Sequence, residues 1–188
     1  MKSPYSKILI AAAICVCIAF TIQSCTKVAT LLNFDLSMQT ASVNISIPVV
    51  TDLTGVFSVE PSTAGYNVDS FIRASTNNQL GAANITSVKL SSVLLALRNA
   101  TDNSNFQNFE SCYASFYSNT NSTPYSTSVT GNPDVYATTL SLPADTATEL
   151  KTYIGDEFTY RIAGQLREPT NIPLNCTVTF TFSVKVQG

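Results

Sequence analysis

The chain has 188 residues and a formal charge of −2; 45% of it is hydrophobic and only 12% charged, with 22 Ser, 24 Thr and 15 Asn making up much of the rest. There is no His and no Trp, which excludes Ser-His-Asp and Cys-His triads, HExxH zinc sites and imidazole general bases. The slightly acidic balance leaves no electrostatic footprint for nucleic acid, and no cofactor or metal is implied.

Lys2 and Lys7 precede an unbroken apolar run from Ile8 to Phe20, followed by Thr21-Ile22-Gln23-Ser24-Cys25. A ~30 Å hydrocarbon core needs about 20 helical residues, so this run is short for a span and has the form of a signal-peptide core. Ile22-Gln23-Ser24-Cys25 resembles the lipobox of bacterial lipoproteins, with Ile22 at −3 and Ser24 at −1; Gln23 departs from the small or apolar residue usual at −2. The resemblance implies cleavage after residue 24 and acylation of Cys25. Residues 25–31 then form a short tether reaching no more than roughly 20 Å, and 32–188 a single domain. Thr26 in place of Asp favours the outer membrane by similarity. With Lys27 the only charge before Asp35, the acidic cluster that can export lipoproteins to the cell surface is missing, so a periplasm-facing position is expected.

Beyond the tether the pattern is period-two alternation, the mark of strands with one buried face. Phe34, Leu36 and Met38 alternate with Asp35 and Ser37, and Val43, Ile45 and Ile47 with Asn44 and Ser46. In Ile85–Arg98 the apolar parity changes at Ser91-Ser92, which predicts a β-bulge. Cys112-Ala114-Phe116, Tyr136-Thr138-Leu140-Leu142 and Phe158-Tyr160-Ile162 continue the theme. The longest run sets Cys176, Val178, Phe180, Phe182, Val184 and Val186 against Thr177, Thr179, Thr181, Ser183, Lys185 and Gln187.

Two short helices are predicted. Thr146 and Glu149 have capping-box spacing ahead of Leu150, Tyr153 and Ile154, and Asp69–Ser75 is the weaker signal. Roughly seven strands with turn signals between them and no βαβ alternation predict an all-β antiparallel sandwich of immunoglobulin-like size, with one or two short helices.

The segment Asn105-Phe106-Gln107-Asn108-Phe109-Glu110-Ser111 before a Tyr-rich strand, with the later Leu150-Lys151-Thr152-Tyr153-Ile154, resembles small β-sandwich lipoproteins of the Bacteroidota type. That resemblance implies fold and address without an activity. Asp145-Thr146-Ala147 likewise resembles the Asp-Ser/Thr-apolar acceptor for O-linked glycan in Bacteroidota, with helix capping as its simpler role.

Of five cysteines, Cys15 and Cys17 lie in the apolar run and Cys25 is the acylation site. Cys112 and Cys176 remain, and a cross-strand or cross-sheet disulfide or two inert buried thiols both fit the sequence. Tyr113, Ser115 and Tyr117 share one strand face, with Tyr125 following in a Ser/Thr/Asn-rich segment, so Tyr113, Tyr117 and Tyr125 form a candidate face for a protein or glycan partner. Cross-strand packing of aromatics is the structural alternative. Asp156-Glu157 reads as a turn, because strand neighbours face opposite ways. Asp134 with Asp145 and Glu110 with Asp102 are carboxylate pairs with nothing in sequence to join them. Lys89 shares a strand face with Ser87 and Ser91, without a Gly-x-Ser-x-Gly elbow.

The expectation is a lipid-anchored, non-enzymatic binding or scaffolding module whose membrane partner is reached through its N-terminal lipid. The alternatives are an envelope polysaccharide hydrolase using dispersed carboxylates and a surface adhesin or accessory lipoprotein.

Overall fold

A computed structural model describes residues 32–40 and 42–188. Cys15, Cys17, Cys25 and most of the tether lie outside the described residues. Residues Asn33–Gly188 form one compact unit. It contains β1 (Asn33–Gln39), β2 (Val43–Ile47), β3 (Phe57–Ser58), β4 (Ser62–Gly65), β5 (Ile85–Leu97), β6 (Phe109–Ser118), β7 (Tyr125–Thr130), β8 (Thr139–Leu142), β9 (Glu157–Leu166) and β10 (Leu174–Gln187). One α-helix, α1 (Val68–Ser75), lies between β4 and β5.

Every strand pairing is antiparallel. In the first sheet β1 and β2 share one edge of β10, which is followed by β5 and β8; in the second, β3 and β4 share one edge of β9, followed by β6 and β7. The chain is an all-β sandwich, as the alternation predicts. Counting β1 with β2 and β3 with β4, the orders 1–10–5–8 and 3–9–6–7 are those of a jelly roll, an arrangement that closes two Greek keys face to face. The core lies between the sheets. Phe116 is its hub, with ring centroids 5.0 Å from Phe180, 5.3 Å from Phe182 and Tyr153, and 5.6 Å from Tyr125.

The bulge expected in β5 is present. Thr181 pairs with Ser92 and Phe182 with Leu90, so Ser91 has no partner on β10. That extra residue puts Val88 and Leu90 on the same buried face as Val93, Leu95 and Leu97. On β10 the apolar residues turn inward as read, and Thr177 and Thr179 on the outer face are also buried. Arg98 Nε donates to Thr177 Oγ1 at 2.7 Å, Thr177 donates to Asn44 Oδ1 at 3.0 Å, and the Thr179 and Ser42 hydroxyls share a bond of 2.9 Å.

The helix expected after Thr146 does not form; only a single 3-10 turn, Lys151–Tyr153, is found there. One local bond and three distant ones explain this. Asp145 Oδ1 accepts from the Ala147 amide at 2.8 Å, closing a turn where the cap was expected. Glu149 accepts from Ser87 Oγ and the Val88 amide, both at 2.7 Å, and Leu150 N donates to the Val88 carbonyl at 2.7 Å. Because β8 pairs with β5 only from Val93 to Ala96, Glu149-Leu150 covers the strand edge that β8 leaves open. The weaker candidate is the true helix: Asn67 Oδ1 caps α1 by accepting from Ser70 N at 2.8 Å.

The strand expected from Tyr136 is shortened to Thr139–Leu142. Ala137 instead serves the preceding loop, its carbonyl accepting from Phe106 N at 2.9 Å and its amide donating to Asn105 Oδ1 at 3.3 Å. The Asn105–Phe109 motif is thereby explained as a loop lock. Asn105 N donates to Asn108 Oδ1 at 2.9 Å, Asn132 Nδ2 donates to the carbonyls of Phe106 (2.7 Å) and Phe109 (3.2 Å), and both phenylalanines are fully buried. Buried amides so satisfied cost little and fix the loop geometry.

Candidate binding face

From Cys112 onward strand β6 alternates. Cys112, Ala114 and Phe116 are buried, while Tyr113 is just over one-third exposed and Ser115 and Tyr117 are half-buried. The register places Ser115 between Arg161 of β9 and Ser126 of β7, and Tyr113 between Ala163 of β9 and Ser128 of β7. Beyond Ala163 lies Ser58 of β3. These side chains share the outer face of the second sheet, since antiparallel partners point the same way.

With Val56 from the loop before β3, they line an open cleft of about 350 Å³ containing Tyr113, Ser115, Ser126, Arg161 and Ser58. Val56 is 62% exposed. Among the described residues Arg161 has no carboxylate within 4 Å. Arg73, by contrast, meets Asp69 at 2.6 Å, and Arg167 meets Glu110 at 3.0 Å and Asp134 at 4.0 Å. The cleft therefore presents a guanidinium with free donors, one phenol ring and several small hydroxyls, a set able to bind a polar ligand and orient it.

The three tyrosines do not form one face. Tyr113 lines the cleft and Tyr117 lies further along the same face, opposite Thr159. Tyr125 departs from the expectation. It opens β7 opposite Phe116, on the inner side, with its ring 6.4 Å from that of Tyr153. Burial, and then the nearby Asp145 and Tyr153, push its phenol above the ordinary value. The Ser/Thr/Asn-rich stretch, read as a loop, forms strand β7 from Tyr125 onward, and its pairing opposite Phe116 turns the ring inward. Arg161 was the residue missed: as the charged outward member of Phe158-Tyr160-Ile162 its direction is readable from alternation, but its neighbour across the sheet is not.

Cys112 and Cys176 are free thiols, both fully buried, so the disulfide considered between them is not formed in this structure. Burial pushes Cys112 up to about 12; burial and then the neighbouring Cys112 push Cys176 to about 12. Thiols of this kind stay protonated and are poor nucleophiles. Ser87 is engaged by Glu149, leaving it no exchange with Lys89. Asp134 and Glu110 are joined through Arg167. Asp102 and Glu168 line a separate polar cleft of about 500 Å³ with Asn103, Gln107, Asn108 and Asn171. Among the described residues no three His, Cys, Asp or Glu side chains cluster as metal ligands, and no helix is long and apolar enough to cross a membrane.

No family model matches the chain, and no curated protein matches it. Solved structures similar to it include Desmodium yellow mottle tymovirus (8% identity, 82% of this chain and 89% of that one, TM-score 0.29). The 60-mer BFDV capsid protein is similar at 8% identity over 85% and 95% of the two chains, with TM-score 0.35. Israeli acute paralysis virus is similar at 9% identity over 82% and 74%, with TM-score 0.32.

Proposed function

We propose that the chain is a lipid-anchored binding protein of the bacterial envelope, acylated at Cys25 and facing the periplasm from the outer membrane, with the outer face of the second sheet as its binding surface. The observation that carries the binding part is the cleft that Arg161, without a carboxylate partner among the described residues, lines together with Tyr113. The anchor rests on the Ile22-Gln23-Ser24-Cys25 motif and the charged, apolar segment before it. The course of the chain agrees with a tether at one end of the sandwich. Asn33, where β1 begins, pairs with Gln187 at the C-terminal end of β10, the end that also holds the connections 66–84, 119–124 and 143–156. The loops 98–108, 131–138 and 167–173 lie at the opposite end of the domain. Three acyl chains at about 0.8 kcal/mol per buried CH₂ make such attachment effectively permanent.

Replacing Cys25 by Ser is expected to move the protein from the membrane to the soluble fraction; membrane retention of that variant overturns the anchor. Recovery of envelope partners on immobilised protein is expected to fall with Tyr113→Ala and stay near wild type with Tyr125→Ser. Equal recovery from all three overturns the face. Protease treatment of intact cells is expected to spare the protein, and digestion would favour the surface adhesin instead.

A second reading, hydrolysis of envelope polysaccharide, is supported by Asp102 and Glu168 lining one polar cleft, since glycosidases work through two carboxylates. Release of reducing ends that disappears with both Asp102→Asn and Glu168→Gln would establish it.

A further inference from the structure

The geometry points to a ligand of the Tyr113 cleft that is an acidic saccharide, a chain bearing uronic-acid carboxylates; this rests on the binding-face reading above. Three features on the face carry it together. Arg161 lies mid-strand on β9, across from Ser115 of β6, with Ser58 of β3 opposite Ala163, the next residue on the same face of β9. Among the described residues its guanidinium has neither a carboxylate nor a hydrogen-bond acceptor in contact, although the chain as a whole is net acidic. A planar fork of donors left open in a cleft matches a planar carboxylate, which it can hold through two parallel bonds.

The second feature is the partly exposed ring of Tyr113, at the next same-face position of the adjacent strand. An aromatic face takes the apolar side of a sugar ring while the phenol oxygen stays wet. Third, the remaining polar groups of the cleft are the hydroxyls of Ser58, Ser115 and Ser126, each able to donate and accept, as a ring of sugar hydroxyls requires.

A peptide is the less fitting occupant. The usual extended peptide adds to a sheet edge, where backbone donors are open, but this cleft sits over β6 and β9, whose backbones are paired on both sides. At about 350 Å³ it is near the small end of the ~300–1,000 Å³ typical of ligand sites, so it would grip a short stretch of a longer polymer.

Calorimetric titration of the domain with oligogalacturonate and with glucuronate-containing hyaluronan oligosaccharides, each against its methyl-esterified form, tests this. Binding to at least one acidic form is expected, weakened about tenfold or more by esterification and by Arg161→Gln, since a charge-assisted bond is lost in both cases. Arg161→Lys is expected to recover part of the loss, and added salt to weaken the acid more than the ester. Thermal melting of Arg161→Gln should match wild type, because the side chain is exposed. Equal affinity for acid and ester, with Arg161→Gln silent and Tyr113→Ala harmful, overturns the acidic saccharide while leaving the face intact. Preference for poly-glutamate over both saccharides assigns the cleft to an acidic peptide. No binding of any probe, together with Tyr113→Ala silent in the envelope pull-down, overturns both the ligand and the face.

Discussion

Glu149 and Val88 hold each other across 61 residues of chain, the carboxylate accepting the Val88 amide at 2.7 Å. Val88 is fully buried and lies where β5 has no β8 alongside. Removing the acceptor leaves this part-buried edge N–H without its partner, a loss of about 1–3 kcal/mol. Glu149→Ala is therefore expected to lower the unfolding free energy read from urea melts by that amount, whereas Thr146→Ala, the change that would damage a helix cap, should leave it within about 0.5 kcal/mol. The opposite ranking would restore the helix.

The same carboxylate gives acid sensitivity with a definite sign. Burial pushes its pKa up, but the bonds from Ser87, Val88 and Lys151 outweigh this and hold it below the ordinary value of 4.5. A depressed carboxylate contributes stability above its unfolded pKa and loses it as pH falls through the folded one. Urea midpoints measured between pH 6 and pH 3 should thus fall less steeply for Glu149→Gln than for wild type.

At the alkaline side the sign reverses. Burial pushes Cys112, Cys176 and Tyr160 to about 12, from ordinary values of 9.0, 9.0 and 10.0. In the unfolded chain these groups ionise first, so stability is full below about pH 9 and declines above it by about 1.4 kcal/mol per pH unit for each group. Native protein at pH 8 should also resist a thiol-specific disulfide reagent until urea is added. Prompt labelling of both thiols without denaturant would contradict the buried placement.

Legibility followed burial. Where a strand has one face in the core, as in β2, β5 and β10, alternation in the sequence locates it, and even the parity break at Ser91-Ser92 is written there. Strands β3, β4 and β7 carry Ser-Thr-Gly-rich segments such as Ser62–Gly65 and Tyr125–Thr130. Their extended form comes from pairing with β9 and β6 and leaves little trace locally. The capping box at Thr146 failed for a related reason, since a distant strand edge competed for Glu149 more strongly than its own helix. The cleft depended on the β6–β9 register, which sets Arg161 beside Ser115 and which neither strand encodes alone.

Gly164 is required by close approach. A Cβ there would lie 2.5 Å from the Ser111 carbonyl oxygen and 3.0 Å from the Phe57 ring, and the first of these belongs to a paired backbone that cannot step aside. Gly164→Ala should cost about 1–3 kcal/mol, as overpacking does. A matched control, Gly131→Asn, sits at a positive φ of 65° with open space around it, a conformation Asn tolerates best among non-glycine residues, and should cost far less.

The bulge in β5 yields a test in which two single-residue deletions have opposite outcomes. Ser91 is the residue that β10 does not pair. Deleting it leaves Leu90, Ser92 and Val93 in unbroken alternation, with Val88, Leu90, Val93, Leu95 and Leu97 still facing the core. Deleting Leu94, which is 41% exposed, instead shifts Leu95 and Leu97 by one position and turns both outward, because a one-residue slip exchanges the faces of a strand. Each leucine forfeits about 1.5–3 kcal/mol, and the small Ala96 and the charged Arg98 take their inward places, against a total stability of about 5–15 kcal/mol for an ordinary domain. The Ser91 deletion is expected to give a soluble protein with a cooperative urea transition and the Leu94 deletion to give none. A folded Leu94 deletion, or an unfolded Ser91 deletion, would mean that the register between β5 and β10 is fixed by something other than the burial of these leucines.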